Sequence, residues 1–141
     1  MADDLIGFRD VRSRDEWCSG NIAPDLARIF LQAANYAAFV TKRHLIVTSI
    51  YRTPEEDEAL LGHGIHPAWR AIDIHADSWD DPSSKAVVDF LNTRYVYDPL
   101  RPTMQVAFFE PHGSGPHIHI QVHGGTTLRE PGSVPRPEQT T

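Results

Sequence analysis

Apolar side chains recur at Leu26, Ile29, Phe30, Ala33, Ala37 and Val40, the rhythm of one helix face. With Pro24-Asp25 at its head, the pattern predicts an amphipathic helix over residues 24–41. Leu45 to Ile50 is apolar and β-branched and predicts a buried strand that ends at Tyr51-Arg52. Thr53-Pro54-Glu55-Glu56 then has the chemistry of a helix start. Thr53 serves as N-cap, Pro54 as the first helical residue, and Glu56 as the acid that closes a capping box. Gly62 and Gly64 are expected to end that short helix.

Two later segments alternate strictly. In Ala71 to Asp77, an extended chain puts Ile72, Ile74 and Ala76 on one face and Asp73, His75 and Asp77 on the other. In His117 to His123, Ile118, Ile120 and Val122 face one way, and His117, His119, Gln121 and His123 the other. Between them, residues 83–95 predict a second amphipathic helix carrying Val87, Phe90, Leu91 and Arg94 at helical spacing, and Met104 to Phe109 predicts a strand. Residues 1–22 read as a polar, irregular N-terminal segment anchored by Trp17-Cys18, and residues 129–141, with three prolines, as a disordered tail. The folded domain is thus expected over 23–128, in the α+β class: a small, mainly antiparallel sheet flanked by helices, covered on one face and open on the other.

Composition narrows the function classes. A chain of 141 residues, 40% apolar and 23% charged, fits one globular domain. No apolar run approaches the roughly 20 residues that span a bilayer, so no membrane partner is expected. The start Met1-Ala2-Asp3-Asp4 lacks the basic and apolar regions of a secretory signal, which predicts synthesis in the cytoplasm. The net charge of −6 and the lack of a basic run argue against nucleic acid. Cys18 is the only cysteine, so internal disulfides and cysteine-rich zinc sites are excluded, and it reads as a small packing residue.

Histidine is the unusual feature: eight copies, five of them in the stretches 63–66 and 117–123. Zinc takes nitrogen and carboxylate ligands, and a catalytic zinc keeps one position open beside three protein ligands. His66 and Asp73 are seven residues apart, roughly 23–25 Å if the link were extended. They reach one ion only if the chain doubles back, and Gly64 and Pro67 supply the residues for such a bend. Taken singly, a strand histidine is ordinarily exposed or hydrogen bonded, and Asp73 fits a solvated strand face.

Together, Thr48-Ser49-Ile50-Tyr51-Arg52, His66-Pro67-Ala68-Trp69-Arg70-Ala71-Ile72-Asp73-Ile74 and His117-Ile118-His119-Ile120-Gln121-Val122 resemble the lysostaphin/D-Ala-D-Ala metallopeptidase superfamily. Within it they look most like the D-alanyl-D-alanine carboxypeptidase-like group, which includes bacteriophage endolysins. The matching order runs from about residue 45 to 123. The resemblance implies a Hedgehog/DD-peptidase-like fold and one zinc ion held by His66, Asp73 and His119. It implies His117 as a catalytic histidine and Arg52 as a holder of substrate or of the developing oxyanion. The implied activity is hydrolysis of amide bonds in a peptidoglycan stem peptide or cross-bridge, in cell-wall degradation or remodelling. The protein would then act at the wall after release, or be carried in a virion beside phage proteins.

The sequence departs from that family at three positions. Gly64 stands for the usual serine, Trp69 for the usual glycine, and Pro116 occupies the place of an acidic base. His117 is therefore the expected base, with Glu110 and His112 in reserve, and His75 a possible hydrogen-bond partner of the ligands. Arg52 has a plain alternative as a surface residue paired with Glu55 or Glu56. His44 and His63 read as surface residues, and His123 as too far along its strand to reach the metal. Two other functions stand beside the peptidase: a zinc-stabilised structural domain with weak or no activity, such as a virion component, and a metal-free cluster of hydrogen-bonded histidines.

Overall fold

The alternating segments form the centre of a sheet. The computed structural model describes residues 6–59, 64–76, 79–110 and 116–129. Strand β1 spans Ile6–Phe8, β2 Leu45–Ser49 and β3 Ala71–His75; β4 is Tyr95–Val96, β5 Ala107–Glu110, β6 His117–Gln121 and β7 Thr127–Leu128. Helix α1 covers Val11–Cys18, α2 Pro24–Tyr36, α3 Pro54–Ala59 and α4 Asp81–Arg94. The main sheet has the order β1-β2-β3-β6-β5, and β4 and β7 form a separate pair. Only β1 and β2 run parallel; the other pairs are antiparallel. The fold is mixed, with a five-stranded, mostly antiparallel sheet and helices.

One face of this sheet is dry. Ile72, Ile74, Ile118 and Ile120 are fully buried and share a single core with Leu26, Ile29, Phe30 and Ala33 of α2 and Val87 and Leu91 of α4. Each of these side chains larger than alanine contributes about 1.5–3 kcal/mol by leaving water. Strand β2 alternates: Leu45 and Val47 are buried, and Ile46 is exposed, where a fully buried strand was expected.

The expected helix over 24–41 forms, but its last turn is π-helical, Ala37–Thr41, and closes on Lys42 in the left-handed region. The wider turn rotates the following residues off the apolar stripe. Val40, expected in the core, is accordingly 59% exposed. The capping box at α3 forms as read: the Glu56 N–H donates to Thr53 Oγ1 (3.2 Å) and the Thr53 N–H to Glu56 Oε1 (2.9 Å). Helix α4 starts two residues earlier than expected because Asp80 caps it, accepting from the Ser83 N–H.

Four expectations need correction. Residues 1–22 are not irregular throughout, since β1 pairs with β2 and α1 is capped by Asp10; both elements are too short or polar to carry a hydrophobic rhythm. Cys18 is exposed rather than packed. The strand at 104–109 begins only at Ala107, because Met104 closes a turn by donating to the Arg101 carbonyl. Arg129 is not tail: its backbone N–H donates to the Arg94 carbonyl, and its guanidinium to those of Asn92 and Thr93, capping the end of α4. Residues 130–141, like Gly62, lie outside the described residues.

Candidate metal centre

The donors gather on the other face of the sheet, which was expected to be open but is covered at its centre, where Ala71, Asp73 and Gln121 are buried. Strands β3 and β6 pair in a register that sets Asp73 opposite His119 and His75 opposite His117. On the far side of β6, Phe108 pairs with His119 and Glu110 with His117. On β2 the register slips between Val47, opposite Ile74, and Ser49, opposite Asp73. The extra residue, Thr48, donates through its hydroxyl to the Asp73 carbonyl. A bulge of this kind shifts the alternation of the strand beyond it: Ile50 is buried in the core, and the chain runs on to Arg52, which reaches Asp73.

His66 arrives by a doubled-back chain. Residues 65–70 form one helical turn, in which the Arg70 N–H donates to the Ile65 carbonyl and the Trp69 N–H to that of His66. These two bonds define a Schellman closure, which needs a left-handed residue at its fifth position. That residue is Trp69, at φ 60°. The turn thus keeps the backbone that a glycine would adopt, and the indole, instead of obstructing it, stacks on Tyr51 at 4.7 Å between ring centres. Gly64, at φ 82°, starts the reversal and donates its N–H to Asp57.

The three expected ligands meet. One donor atom from each of His66, Asp73 and His119 lies within 4.8 Å of the others. His66 and Asp73 are buried and His119 half-buried. Nδ1 of His66 is 2.7 Å from the Ile50 carbonyl, which can only accept, so Nδ1 carries the proton and Nε2 a lone pair. That Nε2 is buried without a hydrogen-bond partner, 3.4 Å from Asp73 Oδ2. Two ligand atoms each 2.0–2.1 Å from a tetrahedral zinc lie about 3.3 Å apart. An orphaned imidazole lone pair facing a carboxylate at that spacing fits a divalent cation, and two histidines with one aspartate suit zinc with an open fourth position.

Asp73 is the hub. Oδ1 lies 2.9 Å from His119 Nδ1 and 3.9 Å from His117 Nε2; Oδ2 accepts from Arg52 at 2.7 Å. Burial works to raise its pKa, but the imidazoles of His119 and His66 work against this and prevail, holding the carboxyl below its ordinary range. Arg52 does not pair with Glu55 or Glu56. It spans Asp73 and Asp57, whose Oδ1 is 3.6 Å from its other terminal nitrogen.

The N-terminal segment helps to aim this arginine. Arg12 donates to both oxygens of Glu56, to Glu16 and to the Tyr51 carbonyl, while Glu16 accepts the Tyr51 N–H. The residue preceding Arg52 is thereby tied to α1.

Two residues at the site escaped the sequence reading. Asp57 is the one buried residue of α3, and nothing in the run Glu55-Glu56-Asp57-Glu58 distinguishes it. Gln121 did have a signal, since alternation puts it on the face of His119 two residues away. It is buried, and its Oε1 faces His119 Nε2 at 3.2 Å. Among the remaining candidates, His75 is half-buried, His44 exposed and Glu110 at the end of β5. His123 is engaged elsewhere, its Nδ1 accepting from the Gly125 N–H and lying 3.5 Å from Asp98. His63 and His112 fall outside the described residues. No protein-family model, curated protein or solved structure matches the chain.

Proposed function

We propose that this chain is a zinc-dependent peptidase that hydrolyses amide bonds in peptidoglycan peptides, a phage-derived activity of cell-wall degradation or remodelling on a Hedgehog/DD-peptidase-like fold. The observation that carries the reading is the lone pair of His66 Nε2, buried without a partner beside Asp73 and within one ligand sphere of His119. The order of motifs along the chain supplies the substrate class.

His66, Asp73 and His119 would hold the metal. When bound, zinc would polarise the amide carbonyl and bring the pKa of a water down to about 7. His117, 3.9 Å from Asp73, is within reach of the same sphere and takes a proton from the nucleophile for delivery to the leaving amine. Arg52, held between Asp73 and Asp57 with 17% of its side chain still exposed, donates to the oxyanion that develops on the carbonyl. Asp73 would neutralise part of the charge. None of the described helices is long and apolar enough to cross a membrane.

A second reading, a zinc-binding structural domain such as a virion component, is favoured by two features: Pro116 at the position of an acidic base, and the engagement of Arg52 by two buried carboxylates. One experiment separates them. Zinc per chain is measured on purified protein and on Asp73→Ala, and both are then assayed for amino groups released from purified peptidoglycan. One zinc with hydrolysis, both lost in the variant, is the expected result. One zinc without hydrolysis selects the structural domain, and no zinc even with excess metal overturns both.

A further inference from the structure

The ring of His119 has two nitrogens, and only the one facing Asp73 can join the ligand sphere of His66 and Asp73. What decides the state of that nitrogen lies behind it. Gln121 is 3% exposed, and its side-chain Nε2 donates to the Gln105 carbonyl at 2.9 Å. A backbone carbonyl can only accept, so the amide has a single sensible orientation, with Oε1 turned toward His119 Nε2 at 3.2 Å. Oε1 is likewise only an acceptor, as is the Asp73 carboxylate 2.9 Å from Nδ1. A cation bound at Nδ1 beside Asp73 leaves the ring proton on Nε2, where Gln121 Oε1 is placed to accept it.

The scaffold around Gln121 is rigid. Its backbone N–H donates to the Val106 carbonyl, next to the Gln105 carbonyl its side chain uses. Across β3 it sits opposite the small, buried Ala71. Phe108 stacks on the His119 ring at 4.7 Å and 27°, fixing the ring plane. His66 has the same arrangement made from main chain alone, through the Ile50 carbonyl. Of the two ligand histidines, His119 is the one whose tautomer depends on a replaceable side chain.

We infer that Gln121 is a positioning residue for the metal: braced by the Gln105 carbonyl, it keeps the proton of His119 on Nε2 and so presents Nδ1 to the ion. This rests on the zinc reading above. Partners of this kind behind a ligand histidine are worth about 10–100-fold in metal affinity.

The test is zinc titration of the full chain beside Gln121→Met, which keeps length but loses the acceptor, and Gln121→Glu, which keeps an acceptor at the same reach. The expected result is an affinity about 10–100-fold weaker for Gln121→Met, recovery in Gln121→Glu to near that of the parent, and metal-free melting temperatures that do not follow this order. Should Gln121→Met bind zinc as tightly as the parent, Gln121 has no positioning role. Long-range nitrogen–proton NMR of the zinc-loaded parent protein tests the idea without any variant. A proton on Nε2 of His119 supports it, and a proton on Nδ1 overturns it. A parent protein that binds no zinc overturns the zinc reading itself, a failure distinct from tight binding in both parent and Gln121→Met.

Discussion

Nε2 of His66 faces Oδ2 of Asp73 across 3.4 Å without a hydrogen-bond partner, while Nδ1 of the same ring meets the Ile50 carbonyl at 2.7 Å. A cation that joins this buried imidazole and carboxylate binds the folded chain alone and stabilises it. Zinc at about 100 times its Kd is therefore expected to stabilise the fold by roughly 2.7 kcal/mol. In a domain of this size that raises the melting temperature by roughly 10 °C. Differential scanning calorimetry with and without zinc checks this, and Asp73→Ala should abolish the increment.

Replacing His117 should separate binding from chemistry. His117→Ala is expected to retain one zinc per chain, because the nearest ligand oxygen is 3.9 Å from His117 Nε2 and three other donors complete the group. Amide hydrolysis should fall about 10²–10⁴-fold. Loss of zinc together with activity would instead make His117 a ligand.

Arg52 lies between two buried carboxylates, and Asp57 Oδ1 has no hydrogen-bond partner of its own. Removing the guanidinium strands both charges. Arg52→Met should destabilise the metal-free protein by about 3 kcal/mol in urea unfolding. Asp57→Asn in the same background should recover part of that loss. An additive pair would show that Arg52 and Asp57 do not interact.

At position 69 two effects oppose. A left-handed backbone costs an L-residue about 1–2 kcal/mol, while the indole packs against the core and stacks on Tyr51. Trp69→Ala keeps the strain and loses the packing; Trp69→Gly loses both. The glycine variant should be the more stable of the two by about 1 kcal/mol, with both below the parent. Denaturant midpoints give the order, and an alanine variant as stable as the glycine one would contradict it.

Acid should reveal the brace between α1 and α3. Hydrogen bonds from Arg12, then the Thr53 N–H, hold Glu56 down at about 2. The folded pKa lies below the unfolded value of about 4.3. The contribution of this surface pair is thus fully present above that value and is lost as pH falls through about 2. Stability of the parent and of Arg12→Met, compared from pH 6 to pH 2, should converge at the acid end. A constant difference across that range would place the effect of Arg12 elsewhere.

Much of this site is readable along the chain because strand periodicity is local. The order Ala71-Ile72-Asp73-Ile74-His75 assigns Asp73 to the polar face of whatever sheet it joins, and the alternation at His117–Gln121 does the same for His119 and Gln121. The capping box at Thr53 and Glu56 is equally local, spanning four residues. These features follow from backbone geometry within one element, and they survive any tertiary arrangement.

What pairs with what is a different matter. Asp73 meets His119 across 46 residues only because β3 and β6 adopt one register out of several, and a slip by one would turn His119 into the core. The bulge at Thr48 and the left-handed Trp69 bring Arg52 and His66 to the same point, and neither has a mark in the local pattern. Asp57 accepts from the Gly64 N–H across the loop, and the rings of His66 and His119 are met by the Ile50 carbonyl and by a Gln121 amide tied to the Gln105 carbonyl. Sequence periodicity determined which faces carry the donors. Long-range packing alone decided which donors converge, because closure of chains this long is settled by the whole core and not by any segment of it.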